Sequence, residues 1–269
     1  MKKLMFGLSL SFFAFNIQAQ ALANKKIQAG LLTGFGLNFQ KMKTNRLQTN
    51  GVGSDFMFGT DIIVALNKKT AFNVGLGLNF ESLKYKANSN SLYYLYRGNH
   101  ILRLNENHYV INAIGNTDSV KVNNYFKLDE RKQNLVYLTI PTMLVLRSNF
   151  IGYTRCFGKL GLRTSILLSN KSTDIGSLMT IEGSSIGEKE QINHDMKSKG
   201  EQFIIKSAAG FSCGVEWNFI GGIALIGEIG YFYGLTPLYN KRAFFTDANG
   251  LFANKATQSQ LQLKASILF

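Results

Sequence analysis

The run Gln260-Leu261-Gln262-Leu263-Lys264-Ala265-Ser266-Ile267-Leu268-Phe269 sets an apolar side chain at every second position. A period of two is the period of a β-strand. Leu261, Leu263, Ala265, Ile267 and Phe269 therefore share one face, and Gln260, Gln262, Lys264 and Ser266 the other. One oily face and one polar face over about ten residues suit a wall between lipid and a polar lumen.

Working outward from that strand, the same alternation recurs seven times. It is clearest over Ile27 to Gln40, where Ile27, Ala29, Leu31, Thr33, Phe35, Leu37 and Phe39 alternate with Gln28, Gly30, Leu32, Gly34, Gly36, Asn38 and Gln40. Further strands are predicted over Asp55 to Asn67, Ala71 to Lys86, Asn134 to Arg147, Thr154 to Ser169, Phe203 to Asn218 and Gly222 to Leu235, with the last from Thr257 to Phe269. The links after strands two, four and six are short: Lys68-Lys69, Ser148 to Tyr153, and Phe219 to Gly221. Those after strands one, three, five and seven are long: Lys41 to Ser54, Ala87 to Gln133, Asn170 to Gln202, and Thr236 to Ala256. Short turns at one end and long loops at the other are the plan of a transmembrane barrel, with turns and both termini periplasmic when the strand number is even. The expected fold is an all-β antiparallel transmembrane β-barrel of eight strands, with ten as the alternative.

Alternation does not say which face points outward, because a soluble barrel has the same period with its apolar face inside. Aromatic placement argues for lipid. Phe39, Phe56, Phe58, Phe80, Phe203, Tyr231 and Tyr233 fall on the apolar face near the loop ends, and Phe72, Trp217 and Phe269 near the turn ends. Two aromatic girdles mark two membrane interfaces.

The start of the chain points to the same compartment. Met1-Lys2-Lys3 is basic, Leu4 to Ile17 is apolar, and Ala19-Gln20-Ala21 is a small-x-small cleavage site. Residues 1–21 are expected to be a secretory signal peptide cut between 19 and 21, leaving 22–269 as one barrel domain. The apolar run is short of the roughly 20 residues a spanning helix needs. Thirty Lys and Arg against sixteen Asp and Glu give +14, or +12 without Lys2 and Lys3. An exported basic protein meets lipopolysaccharide phosphates and carboxylates rather than nucleic acid, although a scattered, solvated excess in the loops reads equally well.

Three segments carry a family resemblance. Tyr137-Leu138-Thr139-Ile140-Pro141 resembles the Tyr-Leu-Glu-Ile-Pro strand of the PorT-like outer-membrane β-barrel family common in Bacteroidota, and Lys159-Leu160-Gly161-Leu162-Arg163 resembles its following Gly-containing strand. Gly210 to Trp217, with Glu228, Tyr231 and Gly234-Leu235-Thr236, resembles its last strands. The resemblance implies a barrel and leaves the role open. The name-giving member works in type IX secretion, so an accessory part in a secretion apparatus is implied by resemblance alone. Thr139 stands where the family has an inward Glu, which removes a lumen charge. Pro141 lacks a ladder donor and is expected to mark a kink or bulge.

With the apolar face to lipid, Arg155, Lys159 and Arg163 point into the lumen from strand five, four residues apart. Asp61, Glu81, Glu216 and Glu228 join them from strands two, three, six and seven, with Lys206 and Lys264 adding positive charge. Eight strands enclose a space that side chains fill, so these charges should pair as a plug. The sharper alternative is a small passive pore that prefers anions through its basic row. Cys156 and Cys213 fall on the lipid face of neighbouring strands and are expected to stay as free thiols. His100, His108 and His194 lie in predicted loops without a Cys or carboxylate cluster at metal-ligand spacing, so no metal or cofactor is expected. No motif binds His100, His108, Glu106 and Asp118 into a catalytic rim site, so an enzyme is not expected.

The loop from Ala87 to Gln133 holds the aromatic and cationic cluster Tyr93, Tyr94, Tyr96 and Arg97. Such a cluster suits contact with an envelope protein or glycan, though the segment also reads as an extension of strand three. Asp118-Ser119-Val120 resembles a Bacteroidota O-glycosylation acceptor. The sequence thus argues for a structural or interaction protein of the bacterial cell outer membrane. Its expected partners are outer-membrane lipid, lipopolysaccharide, and the barrel-assembly machinery through the C-terminal strand.

Overall fold

A computed structural model describes residues 26–42, 47–87, 93–97, 100–104, 109–111, 117–121, 124–180, 184–195, 202–220, 222–239 and 256–269. The predicted signal peptide lies outside them. Eight strands form the wall: β1 Ile27–Met42, β2 Gly53–Ala65, β3 Thr70–Ala87, β4 Asn124–Arg147, β5 Thr154–Thr180, β6 Ile205–Ile220, β7 Ile223–Gly234 and β8 Ala256–Leu268. Each pairs antiparallel with the next, and β8 pairs with β1, so the sheet closes into an eight-membered ring. Closure leaves no open edge in the ring, which lipid requires of any strand assembly. Among the described residues no helix is long and apolar enough to cross a membrane.

The alternation sorts the side chains as the period demands. Phe35, Leu160, Leu263 and Phe58 are exposed on the outer face, the first of them by 66%. Gln28, Asn73, Lys159, Glu216 and Gln262 are buried inside. An apolar exterior around a charged interior is the reverse of a soluble barrel and fits a lipid-facing wall. Cys156 and Cys213 are free and exposed on this outer face. Cys156 pairs with Val215 and Cys213 with Gly158, so the two thiols stand diagonally rather than opposite.

One end of the ring carries short turns. Between β2 and β3 the Asn67 side-chain oxygen accepts from the backbone N–H groups of Lys69 and Thr70, at 2.8 and 2.7 Å. These side-chain bonds add to the backbone bonds from Leu66 and Asn67 N–H to the Thr70 carbonyl, at 2.9 and 3.0 Å, and fix the tight link. Between β4 and β5, Gly152 takes a φ of 62°, which only a residue without Cβ adopts freely.

The other end corrects the sequence reading of two connections. β4 begins at Asn124 rather than Asn134, and β5 continues to Thr180 rather than stopping at Ser169. The two strands have 24 and 27 residues, against the roughly 9 to 11 that a bilayer needs. Their upper parts form a raised sheet. A strand at Ser185–Asp195 pairs with upper β5 as a hairpin. On the other side Tyr93 and Tyr94 pair with Lys127 and Phe126 of β4. The strands Tyr93–Arg97, His100–Leu104, Tyr109–Ile111 and Thr117–Lys121 follow in order. A short strand, Leu47–Thr49, pairs with the top of β3. None of these enters the ring, which keeps eight strands rather than ten.

Two register shifts hid the extension. The β4–β5 pairing slips between Leu167 and Ser169 and again between Ile175 and Gly176. Each slip exchanges the inward and outward sets, so the alternation loses phase where the strands leave the membrane. Pro141 makes no bulge, since the β3–β4 register is the same on both sides of it. The β3–β4 ladder omits two pairs opposite it, between Val74 and Gly77, while the β4–β5 ladder runs through it, pairing Pro141 with Arg163.

Candidate functional site

The lumen-facing basic residues of β5, Arg155, Lys159 and Arg163, do not form a free row; each has its own partner. Arg155 donates Nε and one terminal nitrogen to the two oxygens of Glu216 on β6, at 2.8 and 2.6 Å. That forked geometry is the strong form of a charge-assisted bond. Arg147 reaches the same carboxylate at 3.8 Å and donates to Gln28 at 2.9 Å. Lys159 donates to Glu228 on β7 at 2.6 Å, and Lys264 reaches the other oxygen of Glu228 at 3.4 Å. Asp61 takes the amide of Asn73 at 3.0 Å instead of a cation.

Further from the short turns, Arg163 donates to Gln262 at 2.6 Å, and Gln262 in turn donates to Asp55. Glu81 is the hub of this level. It accepts Lys206 at 2.5 Å, Gln260 at 2.8 Å and Gln258 at 3.0 Å. Aromatic rings line the cations: Lys206 lies 4.0 Å from the Tyr137 ring centre and Arg163 4.4 Å from that of Phe232. Glu216, Glu228 and Glu81 each share their charge among two or more buried groups, which a narrow lumen favours.

Two apolar clusters seal the ionic levels. At the short-turn end lie Ile63, Ala71, Val145, Phe157, Ala224, Ile226 and Leu268. Phe157 occupies the space left by Gly214, where an added Cβ would stand 2.5 Å from the ring. At the other end Leu83, Tyr85, Leu135, Tyr137 and Leu167 meet Leu238 and Tyr239, which fold inward from the segment after β7. Tyr239 donates to Gln133 at 2.9 Å and meets the Tyr85 ring edge-on, with centres 6.1 Å apart. Above this cap Arg131 forks onto Asp174 at 2.5 and 2.6 Å, tying β4 to β5.

The ten girdle candidates are all on the exposed face: Phe39, Phe56, Phe58, Phe80, Phe203, Tyr231 and Tyr233 toward the raised sheet, and Phe72, Trp217 and Phe269 toward the turns. Phe203 stands two residues ahead of β6 rather than within it. Tyr93, Tyr94, Tyr96 and Arg97 fall on a described backbone strand, but their side chains lie outside the described residues. His108 and Glu106 lie outside them altogether, and His194 stands in the hairpin strand. On that hairpin Lys189 bonds Asp129 at 2.8 Å, and this hydrogen bond holds its ammonium above the ordinary lysine value.

A closed ring of eight strands, polar within and apolar without, is the geometry against which known proteins can be compared. The model of the outer membrane protein beta-barrel domain matches residues 18–240. The chain belongs to that family. Membership places this barrel in the bacterial outer membrane. No curated protein matches it. Among solved structures the barrel is similar to Ail, the attachment invasion locus protein of Yersinia pestis, at 14% identity over 91% of this chain and 100% of that one, with a TM-score of 0.32. It is also similar to OprG from Pseudomonas aeruginosa, at 8% identity over 93% and 98% with a TM-score of 0.43. Neisserial surface protein A matches at 9% identity over 91% and 98%, with a TM-score of 0.36.

Several lumen residues of this family member were missed by sequence reasoning. Gln258, Gln260 and Gln262 carry much of the wiring, yet a glutamine on a polar face has no sequence signal of its own. Asp55 and Arg147 were missed as well, although the alternation that places Asp61 inward carries a signal for Asp55 too, and both are buried at strand ends. The apolar caps were not, because Leu83, Tyr85, Val145 and Phe157 occupy polar-face positions.

Proposed function

We propose that the protein is an outer-membrane barrel with a closed, charge-paired lumen, not an enzyme, and that it acts as a structural and interaction protein through its raised sheet. The reading sets that sheet outside the cell and both termini in the periplasm, with residues 1–21 removed on export. An even strand number with short turns at one end supports this orientation. The motif at Tyr137 to Pro141 and the run Gly234-Leu235-Thr236 support a finer place in the PorT-like branch of Bacteroidota.

The observation that carries the proposal is the length of β4 and β5, whose 24 and 27 residues extend far past a bilayer and support a hairpin there. A barrel serving only as a wall would need no such height. Replacing residues 184–195 by a short Gly-Ser link should leave a folded barrel, read as faster gel mobility before boiling than after. It should also abolish crosslinking of envelope partners to the cell surface. Undiminished capture of the same partners by this variant would overturn the proposal.

The purified protein should be silent in a planar bilayer, because two apolar caps and the ion-paired levels lie in series. Steady anion-preferring current that reverses in a Lys159→Glu, Arg163→Glu variant would instead make it a pore.

A further inference from the structure

We propose that Lys84, Lys132 and Lys171 form a phosphate-binding ledge for a phosphorylated glycolipid of the outer leaflet, an assignment that rests on the outward orientation of the raised sheet. The three side chains are exposed on the outer face of β3, β4 and β5. Lys84 stands directly opposite Lys132 in the β3–β4 register. Lys132 pairs with Thr173, and Lys171 with Asn134, so Lys171 is the diagonal neighbour of Lys132. Directly opposed side chains have Cβ atoms about 5 Å apart and diagonal ones about 7 Å, so like charges here repel. Three ammonium groups are thus held together on adjoining strands, and the described ion pairs include none of them. Two acids flank the row in register: Glu130 stands opposite Lys86, two residues further out, and Asp195 stands opposite Lys171 on the hairpin strand.

The depth of the row identifies its occupant. The last apolar pair on the outer face of β3 and β4 is Phe80 with Val136; Ser82 with Asn134 follows, then Lys84 with Lys132. Four residues at about 3.3 Å each, on strands tilted by about 40°, put the ammonium groups roughly 10 Å beyond the oily belt. That is headgroup depth, where the phosphates of a glycolipid sit while its acyl chains cover Phe80 and the exposed Leu168. The β5 register shift contributes directly. Arg163, Ser165 and Leu167 point inward, and the slip after Leu167 turns Lys171 outward. A bulge next to a ligand site that re-aims one side chain is a recurrent use of such irregularities.

The test is binding of bisphosphorylated lipid A to the purified, refolded full-length mature protein in zwitterionic detergent, read by native mass spectrometry. Wild type should hold the lipid, and a Lys84→Gln, Lys132→Gln, Lys171→Gln variant should weaken it on the order of a hundredfold, about fivefold per lysine. A Lys26→Gln, Lys68→Gln, Lys69→Gln variant at the short-turn end should bind like wild type. In detergent without lipid A the ledge variant should be at least as heat-stable as wild type, because repulsion is relieved. Unchanged binding in the ledge variant overturns the proposal, as does equal binding of dephosphorylated lipid A. Displacement by an equal concentration of inorganic phosphate would make it a free-anion site and overturn the lipid assignment. Lower stability in lipid-free detergent would mean a structural role and overturn it too. Should the triple variant not refold, Lys84→Gln and Lys132→Gln alone carry the test, each expected about fivefold weaker. Binding to purified protein does not depend on orientation, whereas labelling of a Glu188→Cys variant on intact cells does, so the two readings fail separately.

Discussion

Replacing Glu228 by Gln should lower the unfolding free energy of the barrel by about 3–5 kcal/mol, the usual cost of removing one partner of a buried ion pair. Glu228 is 4% exposed and neutralises two ammonium groups, Lys159 at 2.6 Å and Lys264 at 3.4 Å. Glutamine keeps the shape and loses the charge, so the effect is electrostatic rather than a packing loss. Lys264 stands directly opposite Glu228 in the β7–β8 ladder, so the substitution removes its ion-pair partner among the described residues. Adding Lys159→Met and Lys264→Met should restore part of the loss, because no unpaired charge is then left buried and only the amide introduced at position 228 keeps a desolvation cost. Urea unfolding of the refolded protein in lipid vesicles reads both. A Glu228→Gln variant as stable as wild type would show that water reaches this level of the lumen, and would revive the pore.

The same locality explains how much of the molecule was legible in its sequence. Eight strands were readable because lipid outside and polar groups inside impose a strict period of two, and the boundaries of β1, β3 and β8 fall within two residues of the sequence reading. The period fails once the wall leaves the membrane, since nothing there requires one face to be apolar. It fails at the slips near Leu167 and Ile175, where the faces exchange. The charged lumen set was readable by phase, but its wiring was not. Arg163 is answered by Gln262 rather than by an acid, and Glu81 gathers Lys206 from three strands away around the ring. Such pairings depend on strand tilt and stagger, which fix heights across the lumen and leave no mark on a single strand. Leu238 and Tyr239 were assigned to a loop for the same reason. Their inward fold answers to residues on β3 and β4 that are far away in sequence.

That inward fold leads to the second large effect. Truncating Tyr239 to Ala should destabilise the protein by about 3–5 kcal/mol, as expected for loss of a large buried ring. The ring is 2% exposed and packs in a cluster with Tyr85, Phe126, Leu135 and Tyr137, so no neighbour on the rigid wall can collapse into the space. Its hydroxyl also satisfies Gln133 at 2.9 Å. Tyr239→Phe keeps the ring and should cost only about 1 kcal/mol. The backbone bonds Phe203 N to Leu238 O and Leu238 N to Ala256 O anchor the same segment to the residues just ahead of β6 and to the start of β8. Losing the ring should therefore free Leu235–Tyr239 to proteolysis before the barrel itself unfolds, which limited protease digestion would read. Conductance should stay absent in Tyr239→Ala, because the levels around Glu81, Glu228 and Glu216 still cross the lumen beneath the cap. Current appearing in that variant would locate the whole seal in the apolar cap and leave the ion pairs to set register and stability.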